Sequence, residues 1–129
     1  MASFFVGDWF LCTGQTTDCT GGSTNVREIS IADDDLSVGL PKLKVNFPPP
    51  TGGPVGHGFY CVSPDPVGNL IYFNEPLADG MILYVGHVTR HVDPNTTSVV
   101  GKRRRVDLNG ATVPFAAGEE DWTSNRPVQ

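Results

Sequence analysis

Glycine and proline interrupt this chain so regularly that no helix of three turns can be placed anywhere along it. Fifteen Gly and eleven Pro fall in clusters between short apolar runs, which is the punctuation of many turns joining short strands. The runs are rich in β-branched and aromatic residues, which favour a pleated, half-buried surface. Phe4-Phe5-Val6 and Trp9-Phe10-Leu11 flank Gly7-Asp8 and predict a first, buried strand ending at Thr13-Gly14. A loop over Gln15 to Ser23 precedes a second strand, Asn25 to Ile31, where Arg27, Ile29 and Ile31 alternate with Val26, Glu28 and Ser30.

After the acidic turn Ala32-Asp33-Asp34-Asp35, Leu36 to Phe47 reads as strand, with Pro41 marking an edge or bulge. Gly58 to Val62, Leu70 to Phe73, Met81 to Val92, Ser98 to Val106 and Ala111 to Ala116 complete the set, with Asn74 to Gly80 read as a connection. Asn109-Gly110 predicts a two-residue hairpin turn with positive φ at both positions. Gly118 to Trp122 predicts one short helical turn before Pro127.

At 129 residues, with 39% hydrophobic and 18% charged residues, the chain is read as one β domain spanning 1–129, with too much core for a disordered polymer. A net charge of -5 argues against nucleic acid and anionic membrane surfaces, which require a positive excess. No stretch approaches the ~18 apolar residues of a membrane span. The start, Met1-Ala2-Ser3-Phe4-Phe5, lacks the basic and long apolar segments of a secretory signal. The expected location is therefore cytoplasmic. A mature secreted form would look the same, and Asn95-Thr96-Thr97 would then be a glycosylation acceptor. Three cysteines make no complete disulfide set and lack C-x-x-C spacing, so free thiols are expected; the competing reading is a Cys12 to Cys19 bridge across the Gly-rich loop.

About eight short strands with brief connections leave no room for parallel crossovers, so an antiparallel meander is expected. Closing it into a barrel removes both exposed edges, whereas the alternative, a β-sandwich, would keep them. Within that frame Gly7-Asp8-Trp9 resembles the Gly-x-Trp that opens calycin barrels, the superfamily of lipocalins, fatty-acid-binding proteins and avidins. The resemblance implies a closed eight-stranded barrel with Trp9 at its closed end, covered by an Arg or Lys from the last strand. Arg103, Arg104, Arg105 and Arg126 are the candidates. The chain departs from lipocalins in lacking Thr-Asp-Tyr and the long helix before the final strand, and from avidins in having only two Trp.

His87 and His91 share a strand face about 13 Å apart at roughly 3.3 Å per residue, too far to ligate one ion, so no metal is expected even with His57 available. The run Lys102-Arg103-Arg104-Arg105 must place two cations on each strand face, and Arg103 and Arg105 are taken as the inward pair, since an inward Arg calls for an anion on a bound ligand. Tyr60, Tyr72, Tyr84 and Phe115, with His87, complete the expected ligand-binding set, and Gly39, Gly86 and Gly101 leave space beside them. With no Gly-x-Ser-x-Gly, P-loop or Gly-x-Gly-x-x-Gly, hydrolase and NTPase chemistry falls away. The leading function is a small-molecule binding protein holding an apolar or amphiphilic ligand in the barrel, without a cofactor. The alternatives are a pocket enzyme of isomerase or cyclase type, with His87 or a Tyr as acid or base, and a carbohydrate- or protein-binding sandwich. A homo-oligomer is compatible with each.

Overall fold

The computed structural model describes residues 5–34, 42–47, 54–61, 65–92 and 96–126. Among them nine strands form: β1 (Gly7–Thr13), β2 (Val26–Asp33), β3 (Lys42–Asn46), β4 (Val55–Tyr60), β5 (Leu70–Leu77), β6 (Gly80–His91), β7 (Thr97–Asp107), β8 (Thr112–Val113) and β9 (Asp121–Asn125). Strands β1 to β7 pair antiparallel in chain order, and β9 lies between β7 and β1, so the sheet closes on itself. The product is an eight-stranded antiparallel barrel with β8 as an additional strand, not a sandwich. Closure gives every barrel strand a neighbour on both sides over at least part of its length.

Side-chain parity sorts the interior from the wall. In β3, Leu43 and Val45 are buried while Lys42, Lys44 and Asn46 are exposed, the period-two pattern of a sheet with one wet face. Aromatic rings fill the middle: Phe73 stacks on Tyr84 at 4.7 Å, and Trp122 meets both edge-on at 5.7 Å. A cavity of about 10 Å³ remains between this cluster and Trp9, lined by Phe5, Ile71, Phe73 and Trp122, the size of a single water at most. Gly86 and Gly101 face each other across β6 and β7, and a Cβ on them would come within 2.6 and 2.7 Å of the Trp122 indole. The room expected beside these glycines is therefore taken by Trp122; Gly39 lies outside the described residues.

One end is capped by Trp9, which is 1% exposed. Its indole N–H donates to the Phe5 carbonyl at 2.7 Å, and the Arg126 guanidinium lies 4.6 Å over its ring. Arg126 also donates to the Val6 carbonyl at 2.7 Å. Gly7 has φ +129, a backbone conformation that favours glycine, and the Arg126 guanidinium packs where a Cβ would stand. Of the four arginines expected as candidates, Arg126 is the one in place.

Several local expectations are corrected. Leu108, Asn109 and Gly110 form a three-residue loop: the Gly110 N–H donates to Asp107 O at 3.0 Å, and the Asp107 N–H donates to Ala111 O at 2.9 Å. Only Gly110, at φ 83, has positive φ there, so the turn is a type I turn followed by a left-handed glycine. β5 runs on to Leu77 through the segment read as a connection, because its ladder with β4 stops at Phe73 and leaves an edge that tolerates Pro76. Residues 117–120 do turn, with the Glu119 N–H donating to Ala116 O and the Asp121 N–H to Gly118 O, but strand β9 takes over at Asp121 and closes the barrel in place of Ala111 to Ala116, of which only Thr112–Val113 is strand. Cys12 and Cys19 are bridged, with Cα atoms 5.7 Å apart, so the free-thiol expectation holds for Cys61 alone. Pro41 lies outside the described residues.

Candidate functional site

Among the described residues, the end opposite Trp9 is open. A cavity of about 480 Å³ there is lined by Thr13, Asn25, Val26, Arg27, Glu75, Ile82, Arg103 and Glu119. β1 ends there at Thr13, β2 begins there at Val26, and β5, β6 and β7 contribute the inward Glu75, Ile82 and Arg103. Its floor is the top of the aromatic core. The cavity is charged but balanced, with two arginines and two glutamates.

Glu75 is held hard. Arg27 donates through Nη1 to Glu75 Oε2 at 2.8 Å and through Nη2 to Oε1 at 2.6 Å, the bidentate fork that makes Arg–carboxylate pairs strong. Tyr84 donates its hydroxyl to Glu75 Oε1 at 2.7 Å. The Glu75 side chain is 8% exposed and that of Arg27 37%. Burial alone would raise Glu75, but the hydrogen bonds from Arg27 and Tyr84, with the Arg27 and Arg103 charges, outweigh it and hold the carboxyl below its ordinary value. The same bonds raise Arg27. Burial, reinforced by the neighbouring carboxylate, pushes the Tyr84 hydroxyl well up, so it acts here as a donor and not as a base. Arg27 also lies 5.1 Å from the Phe47 ring.

Arg103 is held differently. Its Nε donates to the backbone carbonyl of Glu119 at 2.7 Å, and its guanidinium packs on the Phe115 ring at 4.3 Å. The Glu119 carboxylate approaches only to 3.5 Å from Nη2, with side-chain exposures of 9% for Arg103 and 41% for Glu119. Phe115 and Glu119 belong to residues 114–120, which leave the sheet between two pieces of one barrel position: β8 pairs with Arg105 and Val106, and β9 pairs with residues 98–102 of β7.

The expected ligand-binding residues separate. Tyr84 and Arg103 reach the open end, and Phe115 covers Arg103. Arg105 shares the inward parity of Arg103 but pairs with Asp79 at 3.1 Å at the rim. Tyr60 lies at the closed end, packed edge-on against Phe5 at 5.5 Å, and its hydroxyl donates to Asp33 at 3.1 Å. Tyr72 stacks on Phe59 at 5.0 Å on the outer wall. His87 is exposed on that wall, lining a groove of about 390 Å³ with Leu70, Val85 and Val100. Lys102, 71% exposed, pairs with Asp121 outside.

Arg27 and Glu75 were not singled out from the sequence, although the signal was present. Arg27 shares a face with Ile29 and Ile31, and Glu75 continues the face of Ile71 and Phe73. A charge on an apolar face calls for a partner charge.

His57 stands 3.4 Å from Asp34, and His91 hydrogen-bonds Thr97 at 2.8 Å. Among the described residues no three His, Cys, Asp or Glu side chains converge where they could hold a metal, and no helix is long and apolar enough to cross a membrane. These features define a closed antiparallel barrel with a filled middle and a charged mouth. No protein-family model matches the chain, and no significant match emerges among curated proteins or solved structures.

Proposed function

We propose that this protein is a small-molecule binding protein of calycin type that takes a short amphiphile at the open end of its barrel. The observation that carries the reading is the cavity of about 480 Å³ over a core with about 10 Å³ of free space. A ligand has room at the mouth and none in the middle, so a long apolar chain is disfavoured. Ile82 and Val26 offer it apolar contact, and Thr13, Asn25 and Arg103 offer polar contact. Most small-molecule sites combine these two kinds of lining in a concave space of this size. The placement of Arg126 on Trp9 supports the calycin resemblance.

Catalysis is the weaker reading. Glu75 already accepts hydrogen bonds from Arg27 and Tyr84, Tyr84 is held protonated, and His87 stands outside, so none of these three is placed to act as a base at the mouth. The buried Cys12–Cys19 bridge supports an oxidising compartment over the cytoplasm.

Titration with octanoate, octanol and octyltrimethylammonium, followed by backbone amide NMR, tests the reading. At least one probe is expected to give saturable shifts clustered at Thr13, Asn25, Ile82 and Arg103. Shifts confined to the outer groove of Leu70 and Val100, or no saturation with any probe, would overturn it.

A further inference from the structure

We infer that Arg103 is an oxyanion subsite and that Glu119 is its resident competitor, a side chain of the protein's own that an incoming carboxylate displaces. The inference rests on the proposed binding role of the mouth and specifies the ligand's head group and what it must compete with.

The two carboxylates at the mouth are held on very different terms. Glu75 accepts hydrogen bonds of 2.6, 2.7 and 2.8 Å and is 8% exposed. Glu119 reaches Arg103 at 3.5 Å and is 41% exposed. The first pair is a closed structural unit. The second is a contact at the outer limit of a hydrogen bond, in which a cation that is 9% exposed has an exposed anion as its only side-chain acceptor among the described residues.

The rest of Arg103 is fixed independently of that carboxylate. Its Nε is satisfied by the Glu119 backbone carbonyl at 2.7 Å, its backbone N–H donates to Glu120 O at 2.8 Å, and Phe115 covers one face of its guanidinium plane. Removing the Glu119 carboxylate therefore leaves the guanidinium in position with its two Nη groups as the available donors. Nη1 makes no hydrogen bond among the described residues. Two parallel N–H groups on a planar fork match a carboxylate in the bidentate mode. Once Glu119 turns to solvent, Arg27 and Arg103 face Glu75 alone, and the mouth changes from balanced to net positive. Its preferred ligand is then a monoanionic carboxylate whose short apolar part rests on Ile82 and Val26.

The same three probes, applied to the wild type and to Glu119→Gln, Arg103→Lys and Arg103→Gln, decide the matter. Glu119→Gln is expected to tighten octanoate binding about two- to fivefold, the range of an exposed ion pair, and to leave octanol unchanged. Arg103→Gln is expected to weaken octanoate more than about tenfold, as loss of a charge-assisted hydrogen bond does. Arg103→Lys, which keeps the charge, is expected to fold as the wild type does and to fall between the two. In the wild type the Arg103 Nε–H resonance is expected to shift with octanoate and not with octanol.

Octanoate binding at the mouth that is unchanged or weaker in Glu119→Gln overturns the competitor and leaves the proposed function standing. So does binding of octanol or octyltrimethylammonium in preference to octanoate. Absence of binding by every probe in both the wild type and Glu119→Gln removes the inference and the proposed function together.

Discussion

A carboxylate that is 8% exposed stays ionised inside a barrel only while its partners compensate its lost hydration, and Glu75 depends on Arg27, Tyr84 and, at longer range, Arg103. Its carboxyl is held below the ordinary value, so the stability it contributes is complete above its unfolded pKa of about 4.3 and is lost as the pH falls through that value to the lower folded one. Chemical denaturation as a function of pH is expected to show this loss below about pH 5. Glu75→Gln is expected to remove that component while costing about 1–3 kcal/mol at neutral pH, since it leaves the Arg27 charge without its counterion. Coincident acid profiles for the two proteins would show that Glu75 is not the group responsible.

At the level of elements, the segment between β1 and β2 turns away from the mouth and docks on the outside of β9. The Cys19 N–H donates to Asn125 Oδ1 at 2.8 Å, and the Thr123 hydroxyl donates to Thr17 O at 3.0 Å. The Cys12–Cys19 bridge, spanning a separation of 7, ties this segment back to β1, and both cysteines are buried. Closing so short a loop removes about 2.5 kcal/mol of chain entropy from the unfolded state. The double variant Cys12→Ser/Cys19→Ser is expected to lose stability of that order in denaturant titration. Alkylation of the unfolded, unreduced protein should label Cys61 alone; labelling at all three positions would refute the bridge. β9 itself shows how weakly a strand can announce itself, for Asp121-Trp122-Thr123-Ser124-Asn125 holds a single large apolar residue. Its extended form comes from pairing with β1 and β7 at once.

The molecule as a whole is closed by joining its first and last strands, with Phe10 opposite Asn125 and Thr13 opposite Trp122. Those partners lie at opposite ends of the chain, so the closing step is among the least local that a chain of this length can make. Folding in milliseconds to seconds is expected for such a topology. Trp9 and Trp122, each 1% exposed, sit on the two strands that close it and report the event directly. Tryptophan emission and far-ultraviolet circular dichroism are expected to change together in one transition. Two separated transitions would mean that the meander persists without its closing strand. The outer wall, with Asp8, Glu28, Lys42, Lys44, Lys102 and Arg104 exposed, carries charge where a lipid-facing barrel carries an apolar band.

The all-β antiparallel class and the burial of Trp9 were legible in the chain, because period-two alternation and glycine-proline punctuation are local properties; the parity of Arg103 was not fixed that way, since the valines around it tilt Lys102 and Arg104 inward and only the room beside Gly101 favours Arg103. Even the charged pair at the mouth left a local trace, as Arg27 and Glu75 each stand on an otherwise apolar face. That the two charges meet could not be read there. Arg27 on β2 reaches Glu75 on β5 across the barrel, and their distance depends on strand tilt and register summed around the ring. The choice of Arg126 over three other arginines and the filling of the Gly86 and Gly101 space by Trp122 have the same origin. Each depends on contacts between segments whose relative placement is set by closure, a condition on all the strands at once that no window of the sequence contains.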